Sequence, residues 1–310
     1  MPRYRTIRGR KRSYTRKVRS SRRSSARKPT SRWRKTPRRT LTKKRILNMT
    51  SRKKRDTMLI ATNTTASTPS GSSTYTASPA RILPGQVYMF PWIPTYRDMN
   101  TSPAVGATTS TVKDSATRTA TVCYMRGLKE TNYFMQNDGS SWQWRRICFT
   151  LKGPEIYGLT ATGLTVALQT STGYKRVVNE ILTGGGVMST ALLNLMFKGS
   201  VNSDWNNVFN APLDTERIAV KYDRFRYLQT GNQNGRGRTL SQWMPMNKNL
   251  HYDDEESGGT IISSGASARI KAGMGDYYIV DFFNCPAPQQ AGNASYLDWS
   301  PSASLYWHEK

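Results

Sequence analysis

Trp142-Gln-Trp-Arg-Arg-Ile-Cys-Phe-Thr150 is the stretch that decides the architecture. Read with the two-residue period of a strand, it sends Trp142, Trp144, Arg146 and Cys148 to one face and Gln143, Arg145, Ile147 and Phe149 to the other. Both faces carry large apolar groups. Residues 276–283 repeat the pattern, with Tyr278, Val280 and Phe282 opposing Tyr277, Ile279 and Phe283. A strand apolar on both sides must be covered on both sides. In a β-sandwich that means a core on one face and a neighbouring element or subunit on the other.

Working outward, period-two patterning or aromatic and β-branched enrichment predicts further strands over 57–62, 86–93, 117–128, 164–170, 216–229, 239–250 and 303–308. The strand holding the opening stretch is predicted over 142–151. One helix is predicted over 189–197, where Leu192, Leu193, Leu195, Met196 and Phe197 cluster in a run too short for periodicity to decide. Segments 63–79 and 101–116 are rich in Ser, Thr, Gly and Pro and too polar for a core. Eight or nine strands joined by long irregular loops imply an all-β fold. A single jelly-roll β-sandwich of eight main strands fits better than a hairpin-rich barrel, whose turns would be short. No internal repeat is visible.

The 310 residues carry a formal charge of +28, distributed unevenly. Residues 1–55 hold 25 Lys and Arg and no acid, whereas the other 255 residues hold 22 basic and 19 acidic side chains, a net of +3. Like charges with almost no apolar surface cannot offset the entropy of ordering, so 1–55 is expected to stay a disordered basic arm until a polyanion arrives. Residues 56–310 are long enough for one large β domain, preferred here over two small ones. Along the arm, phosphate contacts are expected from Arg3, Arg5, Arg8, Arg10, Lys11, Arg12, Arg16, Lys17, Arg19, Arg22, Arg23, Arg32, Arg34, Arg38 and Arg39. Tyr4, Tyr14 and Trp33 are spaced among these charges, where rings can stack on unpaired bases; Trp33 is expected to do so, with chance spacing the competing explanation. Denser clusters suit nuclear import receptors: residues 8–12, then Lys43, Lys44 and Arg45, then Arg52, Lys53, Lys54 and Arg55.

No apolar stretch follows the arm as a secretory signal would require, and no run approaches the roughly 20 apolar residues of a membrane helix. The chain is expected to be soluble, with no membrane partner. Cys123, Cys148 and Cys285 are odd in number and widely spaced, and read as reduced, buried thiols rather than a disulfide framework or a zinc site. Only two histidines, His251 and His308, are present. Neither a phosphate-binding Gly-Lys-Ser/Thr loop nor the His-x-His and Tyr constellation of a nickase occurs, so no enzyme and no cofactor is expected. One acidic run, Asp253, Asp254, Glu255 and Glu256, has two readings. It is either a divalent-cation site at a subunit contact or, with greater weight, a solvated loop or a partner for arginines of a neighbouring copy.

Five strings spread over the body point to a family: Arg52-Lys-Lys-Arg-Asp-Thr-Met58, Tyr124-Met-Arg-Gly-Leu-Lys-Glu130, Trp142-Gln-Trp-Arg-Arg-Ile-Cys-Phe149, Lys221-Tyr-Asp-Arg-Phe-Arg226 and Trp243-Met-Pro-Met-Asn-Lys-Asn-Leu-His-Tyr-Asp-Asp-Glu-Glu256. By their order and joint presence the chain resembles the coat proteins of genomoviruses, small viruses with circular single-stranded DNA. The resemblance implies a jelly-roll capsid protein forming a T=1 icosahedral virion shell of sixty copies, a basic N-terminus facing packaged DNA, and a passage through the host nucleus. The rival reading is a cellular nucleic-acid-binding protein with a basic tail, which would stay monomeric on a sizing column.

Overall fold

The structure is a computed structural model, and it describes residues 41–103, 108–159, 164–183, 186–290 and 294–310. The chain divides into a unit of residues 1–43 and a unit of residues 44–310. The second unit holds eight principal strands: β1 (Arg52–Met58), β2 (Tyr88–Trp92), β3 (Val122–Asp138), β4 (Ser141–Leu151), β5 (Ala219–Leu228), β6 (Asn234–His251), β7 (Asp276–Ala287) and β8 (Leu297–Glu309).

They form two four-stranded layers with spatial orders β1-β8-β3-β6 and β5-β4-β7-β2, every neighbouring pair antiparallel. A short strand, Ala80–Ile82, adds to β8. Successive strands change layer at every step except β4 to β5, where residues 152–218 return to the same sheet. That order is the double-sheet jelly roll expected from the loop lengths.

Between the layers, Leu128 opposite Leu305 and Phe134 opposite Trp299 meet Cys148, Ile279, Trp144 and Phe283 of the other sheet. Phe134 and Trp144 lie 5.0 Å apart between centroids, and Phe283 and Trp299 also 5.0 Å. The other face of β4 and β7 carries Ile147, Phe149, Tyr278, Val280 and Phe282. It is roofed by the 152–218 excursion, whose helix α1 (Val187–Met196) brings down Met188, Leu192 and Met196. The two-sided coverage that Trp142–Thr150 demands is therefore met by an element of the same chain. Trp92, Trp142, Trp144 and Trp205 are all buried. So are the three cysteines, which are free thiols.

A second layer of order sits at the centre. Glu130 of β3 and Asp281 of β7 accept from Arg146 of β4 and from Arg176 of the short strand Arg176–Val178, with all four side chains at most 1% exposed. Trp144 Nε1 donates to Asp281 at 2.8 Å, and Trp299 Nε1 donates to Asn132 at 2.9 Å. Burial by itself would push the Glu130 carboxyl up, but Arg146 and Arg176 together hold it well below the usual carboxylate range.

Three expectations change. The folded unit does not start at Asp56: β1 begins at Arg52, and Lys43–Thr50 forms a short helix ahead of it, so the composition break falls inside the first strand. Strand β3 continues ten residues past 128, because Glu130, Asn132 and Gln136 occupy inward positions and find partners there, which conceals the alternation in the sequence. Of the strand expected over 164–170 only Gln169–Thr170 forms a strand, in a hairpin with Gly173–Tyr174.

Candidate nucleic-acid interface

Strand β1 shows how alternation divides a basic cluster. Lys54 turns inward and is 4% exposed; its Nζ reaches Thr117 O at 2.8 Å, Thr119 Oγ1 at 3.0 Å and Glu309 Oε2 at 3.0 Å. Asp56 also turns inward, to Arg97. Arg52 sits at the edge, donating to Val112 O at 3.0 Å. Lys53 and Arg55 are left on the outer face of the sheet, exposed. Of the four residues expected to act together in nuclear import, Lys54 is thus committed to the fold, since a lysine paired with a buried carboxylate presents no charge to a receptor. Lys43, Lys44 and Arg45 open the helix Lys43–Thr50. The expected phosphate contacts from Arg3 to Arg39, Trp33 included, lie outside the described residues.

The outer face of β1-β8-β3-β6 forms a set of rows fixed by register. One row runs Lys53, His308, Tyr124, Asn249; another runs Thr57, Ser304, Lys129, Trp243. Between them lie Arg55 opposite Tyr306, and Arg126 at the bulge of β3. Trp243 and Tyr306 are 5.8 Å apart between centroids, Tyr124 and His308 5.9 Å, and the Arg126 guanidinium stands 6.0 Å from the Trp243 ring. Arg126 also donates to Asn247. Gly127, at φ +152°, gives Trp243 its seat, since a Cβ there would come within 2.6 Å of the indole. Among the described residues none of Lys53, Arg55, Arg126 and Lys129 is paired with a carboxylate. The local field shows in His308, whose imidazole is pushed below its ordinary value by partial burial and then by Lys53 and Arg126.

Trp243 also forms the lip of a cleft of about 410 Å³ at the open edge of the sandwich, where Lys221, Arg224 and Arg226 of β5 face Gln242 and Met244 of β6. The Lys221 amine is pushed below its ordinary value by burial and then by Lys248.

The acidic run divides as well. Asp254 is clasped by Arg118 through two bonds of 2.6 and 2.8 Å and accepts from Ser264 N at 2.9 Å, while the guanidinium lies 3.9 Å over the Tyr252 ring. The arginine that partners this run thus belongs to the same chain, rather than to a neighbouring copy. Glu255 and Glu256 sit exposed on a hairpin, Glu255–Ser257 with Thr260–Ile262, and Asp253 is exposed before it. Among the described residues no three His, Cys, Asp or Glu side chains converge as metal ligands would.

Sequence reasoning missed the outer sheet face. Its signal is the spacing Tyr124-x-Arg126 and Lys129-x-x-x-Tyr133 on a strand, fainter than the clustered charges of the arm.

No protein-family model matches the chain, and no curated protein sequence matches it. Among solved structures, the VP1 pentamer of human polyomavirus 6 aligns over 83% of this chain and 93% of its own, at 7% identity and a TM-score of 0.14. The VP1 pentamer of human polyomavirus 7 aligns over 84% and 96%, at 10% identity and a TM-score of 0.14. Likeness at that level carries no argument, and the jelly-roll assignment rests on strand order.

Proposed function

We propose that this chain is a viral coat protein: a jelly-roll tile that assembles with copies of itself, sixty in a T=1 shell, around a circular single-stranded DNA genome. The observation that carries the reading is the pairing of a jelly-roll body of net charge near zero with 25 cations and no acid in the first 55 residues. Sixty such segments would bring about 1,500 positive charges, enough to neutralise about as many phosphates. Each phosphate contact releases a condensed counterion, with a salt slope of roughly −0.7 per contact for single strands, so packaging should be salt-sensitive and nearly indifferent to sequence. Nucleic acid would in turn relieve repulsion between the segments, so genome and shell stabilise each other.

Self-association is supported by exposed apolar side chains in pairs: Ile261 and Ile262, both 59% exposed on the projecting hairpin, and Phe225 and Tyr227 on β5. No cofactor enters this function and no membrane is needed; among the described residues no helix is long and apolar enough to cross one. The partners are copies of the chain, the DNA and host import receptors, which would bind the basic segment before assembly and leave the protein in the host nucleus and then the virion. Removing residues 1–40 tests the packaging role. Particles should then form with much less nucleic acid, read by absorbance at 260 and 280 nm; unchanged DNA content would contradict it.

A further inference from the structure

The carboxylates of the β1-β8-β3-β6 sheet are sorted by alternation. Asp56, Glu130 and Glu309 all point inward, to Arg97, to Arg146 and Arg176, and to Lys54. Asp138, at the end of β3, is buried against Ser140 and Ser295. The outward carboxylate that remains among the described residues, Asp298, lies toward the far end of β8 and is held by Arg81 through two bonds of 2.8 Å. Among the residues of these four strands, the opposite end of the same face is left with one sign of charge. There the four unpaired cations share three adjacent rows with the rings of Tyr124, Tyr306 and Trp243. Trp243 is 45% exposed and Tyr124 37%, so the rings are open to a partner as well as to each other.

We infer that this sheet face is a second binding surface for single-stranded nucleic acid, on which Trp243, Tyr306 and Tyr124 stack unpaired bases while the neighbouring lysines and arginines meet the phosphates. It deepens the proposed function and rests on it for the identity of the polyanion, but not for which segment does the holding. Three strand spacings span about 14 Å, and four-stranded sheets with exposed rings stack two or three bases on such a width. A duplex hides the faces of its bases and cannot use the rings in this way. A second copy docked face to face is a poor occupant, because two faces with four uncompensated cations each repel, and the cores of protein interfaces are depleted of charge. The cleft beyond Trp243, with Lys221, Arg224 and Arg226, extends the positive path around the edge of β6. A strand leaving the rings therefore has a continuation.

The test uses the full chain and a fluorescein-labelled 20-nucleotide oligo(dT), followed by anisotropy at low salt and at about 0.5 M salt, where phosphate contacts weaken and stacking persists. At high salt Trp243→Ala and Tyr306→Ala should each weaken binding about tenfold, Trp243→Phe should retain most of it, and binding of a 20-base-pair duplex should change less than twofold. Wild-type affinity in the Trp243→Ala, Tyr306→Ala double variant at both salts would overturn the inference. Neutralising arm arginines should instead flatten the salt slope and leave the high-salt effect of Trp243→Ala intact, which separates failure of this surface from failure of the arm. Because Trp243 contributes to packing, photocrosslinking of the wild type to bromodeoxyuridine-substituted oligo(dT) provides a check without mutation. Adducts on the peptides holding Trp243, Tyr306 or Tyr124 support the surface, and adducts confined to residues 1–40 overturn it.

Discussion

The outer faces of the two sheets are treated in opposite ways by one fold. On β4 and β7 the outward residues are Ile147, Phe149, Tyr278 and Phe282, and residues 152–218 fold back to roof them. On β3 and β8 the outward residues are Lys129, Tyr133, Ser302, Ser304 and Tyr306, and no element among the described residues covers Tyr133 or Trp243, both 45% exposed. A sheet face whose strands are apolar on both sides recruits a cover from its own chain. A face with strict alternation is left open, and what it displays is then available for partners.

The strongest way to break this contrast is at the plane the two sheets share. Arg146→Met removes the cation between Glu130 and Asp281 and leaves both buried carboxylates with less compensation. It should cost about 3 to 5 kcal/mol in urea unfolding, large enough to lower the yield of folded protein. Next comes the roofed face. Leu192, fully buried on α1, should cost about 2 to 5 kcal/mol when changed to Ala, whereas Val187→Ala on the same helix, 74% exposed, should stay within about 0.5 kcal/mol.

A smaller effect is expected where β1 and the acidic loop are pinned. Burial would raise the carboxyls of Asp254 and Glu309, but Arg118 for the first, and Thr119, Trp307 and Lys54 for the second, bring both below their ordinary values of 3.8 and 4.5. A carboxyl lowered on folding contributes stability above its unfolded value and loses it as pH falls through its folded one. Thermal stability should therefore drop below about pH 4, and Asp254→Asn should cost roughly 1.5 to 3 kcal/mol at pH 7 with the difference shrinking in acid. The smallest effects on stability belong to the open surfaces. Lys129→Ala, or Asp at both Ile261 and Ile262, should move stability by less than about 0.5 kcal/mol. The lysine change should weaken oligonucleotide binding, and the hairpin change should lower particle yield on a sizing column.

The roofed sheet was legible in the sequence because both faces of 142–150 and 276–283 are apolar, a signal that needs no knowledge of partners. Strand β3 was legible only as far as Leu128, since Glu130 and Asn132 break the apolar pattern and their partners lie elsewhere in the chain: Arg146 and Trp299 for Asn132, and Arg146 with Arg176, forty-six residues away and on no main strand, for Glu130. The same blindness applied to β1. Arg52, Lys53, Lys54 and Arg55 read as one charge run, and only register against β8 reveals that Lys54 is a core residue paired with Glu309. Burial of ions depends on distant partners, which local composition does not record.

Electron microscopy of the purified full-length chain addresses the central claim most directly. Closed shells of uniform size with density inside are the predicted outcome; a monodisperse monomer that forms no particles, with or without single-stranded DNA, would contradict it.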